Sequence, residues 1–160
     1  MFLALLLGAG LLLCNVLCSG IQTMLIVRVI TRLIPEDGRD LGFWKDVGIM
    51  VLVTLITSVA HLVGIALWAV VYLMEGEMTS FETAFYFSAE TYTALGYGDI
   101  LLSARWRLLG PLEAINGLLL FGLSTAVLFA VMSHLIATRL RYQRGPQGED
   151  KLPEELEPPE

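Results

Sequence analysis

Three long stretches of this chain carry almost no charge, and that limits the fold more than any other feature. Met1 to Val27 has no charged residue. Val47 to Met74 is also free of charge and holds one histidine, His61. The third stretch runs from about Leu108 to Thr138, broken only by Glu113 near its start and His134 near its end. A bilayer core about 30 Å thick takes roughly 20 apolar residues per helical span. Each stretch meets that length, so the sequence predicts an all-α membrane protein with three transmembrane helices. With 56% hydrophobic residues, the chain is too apolar for an ordinary soluble domain.

The basic residues orient these spans, because Lys and Arg concentrate in the cytoplasmic loops of membrane proteins. Arg28, Arg32, Arg39 and Lys45 lie between the first and second stretches, and Arg139, Arg141, Arg144 and Lys151 follow the third. The segment between the second and third carries only Arg105 and Arg107. The first link and the C-terminus are therefore expected in the cytoplasm, with the N-terminus and the segment after Met74 outside. The first stretch has no basic leader and is longer than a signal-peptide core, so it is expected to remain as a helix. The expected units are an N-terminal helix over 1–34, a cytoplasmic link over 35–46, a membrane unit over 47–138 and an acidic tail over 139–160. Glu149, Asp150, Glu154, Glu155, Glu157, Glu160 and four prolines mark the tail as disordered. No basic patch suited to nucleic acid occurs.

Between Met74 and Leu108 the chain is not a simple loop. "SFETAFYFSAETYTA" is rich in aromatic and small residues and contains no helix breaker. Thr79 and Glu82 have the spacing of a capping box, which predicts a helix over 80–93. At about 1.5 Å per residue this helix is roughly 20 Å long, too short to cross a bilayer. A short apolar helix followed by Gly96, Tyr97 and Gly98 reads as a re-entrant segment that returns to its own side. Irregular backbone at membrane depth is tolerated only where protein buries it or where it lines a water-filled cavity. One chain with three spans cannot surround it, so several copies around an axis are expected. Glycine admits backbone conformations closed to residues with a Cβ, and alternating glycines can turn successive carbonyls to one side. The helix would also direct its negative C-terminal end toward the membrane centre, which favours a cation there.

Gly96, Tyr97, Gly98 and Asp99 form a Gly-Tyr-Gly-Asp sequence that resembles the selectivity filter of potassium channels. The similarity covers roughly Val47 to Thr138, with an outer helix over 47–74, a pore helix over 80–93, a filter over 94–98 and an inner helix over 108–138. The resemblance implies a homotetramer in the bilayer, K+ passing through rings of backbone carbonyls, no catalysed chemistry and no cofactor beyond the permeant ion. It assigns ion binding to Ala94, Leu95, Gly96, Tyr97 and Gly98. "SAETYT" is similar to the end of the pore helix in small bacterial two-helix channels, which makes Glu90, Thr93 and Asp99 filter supports, with Glu90 paired to Asp99 behind the filter. Gly117, with Gly122 after it, stands near the family's inner-helix hinge. Size and resemblance together imply a bacterial inner-membrane protein. Ala94 replaces the family's usual threonine and removes a hydroxyl that helps bind the innermost ion. Alternatives are a weakly selective cation channel and a pore-like membrane subunit that does not conduct.

Several other residues stand out. His61, near the middle of the second span, is either a neutral imidazole bonded to a neighbouring helix or a proton-sensitive contact. His134 faces either the pore mouth or lipid headgroups. Trp44, Trp68, Tyr72 and Trp106 fall near span ends and are expected as interfacial anchors. Cys14 and Cys18 are one helical turn apart and are expected as small packing residues rather than as a bridge. No spaced arginines of a voltage sensor occur, and the polar tail is not expected to fold into a gating domain.

Overall fold

The computed structural model describes residues 2–33 and 42–144. The link over 34–41 and the acidic tail from residue 145 lie outside the described residues. Four helices make up the described chain: α1 (Phe2–Leu33), α2 (Phe43–Met74), α3 (Phe81–Tyr92) and α4 (Leu109–Arg144). The described residues contain helices and no strand, and α1, α2 and α4 are each long and apolar enough to cross a membrane. α2 begins before the apolar run does, and α4 continues past Thr138 to Arg144, where the tail was expected to have begun. Backbone hydrogen bonding, not hydropathy, sets where a helix stops.

Two clusters of buried side chains show how the helices run. One gathers Ala4 from α1, Ile65, Trp68, Ala69 and Tyr72 from α2, Ala84, Phe87 and Tyr92 from α3, and Leu109 and Leu120 from α4, together with Met78 and Trp106. The other joins Ile26, Ile49, Val53, Val131 and Leu135. The start of α1, the end of α2 and the start of α4 therefore share one end of the bundle. α1 and α4 run in the same direction, and α2 runs against both.

α3 lies in the end that holds the first cluster, and its course can be followed down α2. The Phe87 ring meets Tyr72 with centroids 5.1 Å apart. Ser88 Oγ lies 2.8 Å from the Ile65 carbonyl. Tyr92 Oη lies 3.2 Å from His61 Nδ1. Advancing along α3 thus retreats along α2 toward mid-span. The chain then returns to the end it left, because Trp106 packs in the same cluster as Met78. Glu77 fastens the two arms of this excursion, accepting hydrogen bonds from the Ser103 N–H and the Ser103 hydroxyl, each at 2.7 Å.

The aromatic anchors divide differently from expectation. Trp44 is 82% exposed, but Trp68, Tyr72 and Trp106 are buried in the core. A position near a span end fixes depth and leaves the facing direction open, and here the helix face decides. Cys14 and Cys18 are free thiols exposed on α1 rather than packed.

Candidate functional site

The site grows from the C-terminal end of α3. Ser80 caps the other end, accepting a 3.1 Å hydrogen bond from the Thr83 N–H. The cap is therefore Ser80 and not Thr79. Two adjacent hydroxyl residues offered the same chemistry, and it is Ser80, in extended backbone, whose side chain takes the cap hydrogen bond. After Tyr92 the helix closes with two hydrogen bonds: Leu95 N–H to the Glu90 carbonyl at 2.8 Å and Ala94 N–H to the Thr91 carbonyl at 2.9 Å. This is a Schellman closure, whose left-handed position is usually glycine. Here that position is Ala94, at φ +57°.

A helix cap ends there, yet the pattern continues. Gly96 has φ +56° and Gly98 has φ +76°, while neither Leu95 nor Tyr97 has a positive φ. Residues 94–98 therefore alternate between left-handed and ordinary backbone. The N–H groups of Leu95 and Gly96 both turn back to the Glu90 carbonyl, at 2.8 and 3.2 Å. Among the described residues, no hydrogen bond reaches the carbonyls of Ala94, Leu95, Gly96 or Tyr97. These are strong acceptors, and a segment's backbone groups must find partners somewhere. Leu95 is 57% exposed and Tyr97 68% exposed in the single chain.

Behind this segment lie its acidic neighbours. Glu90 is buried, and burial pushes its carboxyl pKa up; the nearby Asp99 charge pushes it the same way, while the Tyr97 N–H acts in the opposite sense. Asp99 also accepts a 3.0 Å hydrogen bond from Tyr86 Oη, which raises the Tyr86 pKa. Thr93 turns its hydroxyl back to the Ala89 carbonyl at 2.8 Å, so it braces the last turn of α3.

Below the segment, His61 spans three helices. Its Nδ1 lies 3.2 Å from Tyr92 Oη and its Nε2 3.0 Å from Ser124 Oγ. The imidazole is thus within hydrogen-bond distance of both neighbouring helices. Beside it is a cavity of about 20 Å³ lined by Asn15, Ser19, Gln22, His61 and Tyr92, room for one water. His134 is exposed on α4.

The two glycines of the inner helix differ in their surroundings. α4 is helical through both. A Cβ at Gly117 would overlap the Tyr92 carbonyl oxygen and stand 2.9 Å from the carbonyl carbon, whereas one at Gly122 would meet nothing within 4 Å. At Gly117, α4 lies directly against the root of the candidate segment.

One buried group went unrecognised in the sequence. Glu113 is fully buried in α4 and accepts a 2.6 Å hydrogen bond from Tyr72 Oη. A carboxyl inside an apolar run was the available signal, but its partners come from two other helices and leave no mark on local sequence.

Residues 58–134, nearly half of the chain, match the family model described as ion channel. The match supports the resemblance drawn from residues 94–99 to the potassium channel pore family. α1 lies outside the matched stretch. No curated protein and no solved structure matches the chain.

Proposed function

From a multi-pass membrane protein whose residues 58–134 are of ion-channel type, we propose that four copies form a pore that passes K+ down its gradient. In this reading α3 is the pore helix, residues 94–98 are the filter, and α4 lines the pore below. The alternating backbone of Ala94, Gly96 and Gly98, with four carbonyls left without partners, is the observation that carries it. A helix cap alone explains the left-handed residue at Ala94. It does not explain two further left-handed residues at every second position.

Rings of carbonyl oxygens replace the water shell of a bare cation. The C-terminal end of α3 adds the negative end of its dipole. Exposure of Leu95 and Tyr97 in the single chain supports assembly, since large side chains behind a filter need neighbouring copies to cover them. Glu90 and Asp99 stand behind the filter as supports, with Thr93 bracing the helix end. Gly117 sets the spacing between pore helix and inner helix, and Gly122 leaves the inner helix free to bend. The basic residues Arg28, Arg32, Lys45 and Arg139 support a cytoplasmic link and C-terminus, with the filter and N-terminus facing outward across a bacterial inner membrane. Conduction needs no catalysed step and no cofactor.

The missing hydroxyl at Ala94 favours a second reading, a channel with weaker discrimination between K+ and Na+. Potassium flux through purified protein in liposomes tests the proposal, with barium as blocker and Gly96→Ala in parallel. Barium-sensitive flux that the substitution abolishes supports a carbonyl filter. No flux from a verified tetramer, including variants opened at the inner helix, supports a non-conducting subunit instead.

A further inference from the structure

Glu113 has no part in the filter, yet it is the most deeply buried carboxyl among the described residues. It joins three helices. From α2, Tyr72 Oη donates to Oε2 at 2.6 Å. From α3, Ser88 Oγ lies 2.5 Å from Oε1. The same Ser88 Oγ lies 2.8 Å from the Ile65 carbonyl oxygen on α2.

Hydrogens can be counted in this cluster. A serine hydroxyl has one hydrogen and two acceptor lone pairs. Ser88 faces two oxygens, and its one hydrogen serves only one of them. If both Ile65 O and an ionised Glu113 were acceptors, one close oxygen–oxygen contact would have no hydrogen in it. A hydrogen on Glu113 Oε1 resolves the count. Glu113 then donates to Ser88, Ser88 donates to Ile65, and Tyr72 donates to Glu113.

The surroundings agree. The groups facing Glu113 are Tyr72 on α2 and Ser88 and Tyr92 on α3, with the apolar Leu7 and Leu11 of α1 packed into the same cluster. Among the described residues no Lys or Arg pairs with it. An ionised carboxylate without a cation is costly in such a place, whereas a neutral acid with every hydrogen bond made is not.

We propose that Glu113 holds a hydrogen on Oε1 and is the positioning residue that straps α3 between α2 and α4. Ser88 is six residues before Ala94. The strap therefore sets how deep the candidate filter sits and how firmly its root is held. Its consequence for ion flow rests on the pore reading above. The strap itself does not.

The test uses purified full-length protein with four substitutions. Glu113→Gln keeps a donor group and an acceptor in the same shape, with one additional N–H. Glu113→Leu keeps the bulk and loses both. Ser88→Ala and Tyr72→Phe each remove one link. Flux and the K+/Na+ ratio are measured in liposomes, beside amide hydrogen exchange of α3 and the infrared band of a protonated carboxylic acid.

The proposal predicts that Glu113→Gln keeps wild-type flux and ratio and removes one component of the acid band. Glu113→Leu and Ser88→Ala speed exchange in α3 on the order of tenfold, the scale of one buried hydrogen bond, and lower the K+/Na+ ratio of assembled tetramers. Wild-type exchange and ratio in Ser88→Ala and Tyr72→Phe would overturn the strap, and these variants decide if Glu113→Leu does not assemble. Loss of function in Glu113→Gln, or an acid band it leaves unchanged, would overturn the hydrogen on Oε1. If neither the wild-type tetramer nor variants opened at the inner helix conduct, the pore reading fails, and exchange and infrared still judge the strap.

Discussion

Gly117→Ala is the substitution whose effect the packing defines best. The added Cβ would overlap the Tyr92 carbonyl oxygen and lie 2.9 Å from its carbon and 3.1 Å from Tyr92 Cδ1. Carbon atoms pack best at about 3.5–4.0 Å. The obstacle is main chain at the last turn of α3, so it cannot swing aside as a side-chain tip would. Forced overpacking costs about 1–3 kcal/mol, and a main-chain obstacle places this site near the upper end. Alanine recovers roughly 1 kcal/mol through its better helix propensity. The net cost is about 2 kcal/mol per chain, on the order of thirtyfold in the folding equilibrium. Tyr92 is two residues before Ala94, so the displacement also reaches the candidate filter. Thermal unfolding of the detergent-purified protein should show a lower midpoint for Gly117→Ala, and liposome flux should fall. Gly122→Ala meets no atom within 4 Å and should hold or raise the midpoint. Unchanged stability in Gly117→Ala would refute the packing argument. Lost flux in both variants at unchanged stability would instead mark both glycines as points of bending.

Three further outcomes follow from the same geometry. Ala94→Gly relieves a Cβ held at φ +57° and should stabilise the fold by about 0.5–1 kcal/mol after the entropy of a freer unfolded chain is counted, seen as a higher thermal midpoint; a drop would show that the Ala94 side chain is needed where it stands. Ser80→Ala removes the cap of α3 and should cost about 1 kcal/mol in the same assay, so an unchanged midpoint would mean that tertiary packing alone fixes the start of α3. The folded-state pKa of Glu90 is raised, first by burial and then by Asp99. Its stabilising contribution is therefore complete at pH values below the ordinary carboxyl range and is lost as pH rises through the raised value. The difference in stability between wild type and Glu90→Gln should narrow or reverse as pH rises through that window, and a difference independent of pH would contradict the assignment.

The spans were legible because bilayer thickness converts directly into a count of apolar residues. The short helix was legible too, from its aromatic and small residues and a hydroxyl cap, although Thr79 and Ser80 offered the same signal and only the folded structure places the cap on Ser80. Hydropathy reports how deep a residue lies and not which way it faces, so Trp68, Tyr72 and Trp106 looked like interfacial anchors and are core. The glycines at 96 and 98 announced unusual backbone. The left-handed Ala94 was hidden, because alanine carries no such signal. Gly117 was visible as a glycine in a helix, but the Tyr92 carbonyl against it comes from another element. The same holds for Glu113, whose partners Tyr72 and Ser88 stand far from it in sequence and are adjacent only after three helices pack.

The most direct test of the central claim is the reversal potential across a bilayer holding the purified protein, with K+ on one side and Na+ on the other. A carbonyl filter predicts a potential well toward the K+ equilibrium value in the wild type, and no current from Gly96→Ala. A reversal potential near zero, or K+-selective current that persists in Gly96→Ala, would contradict the account of residues 94–98 as the selective element.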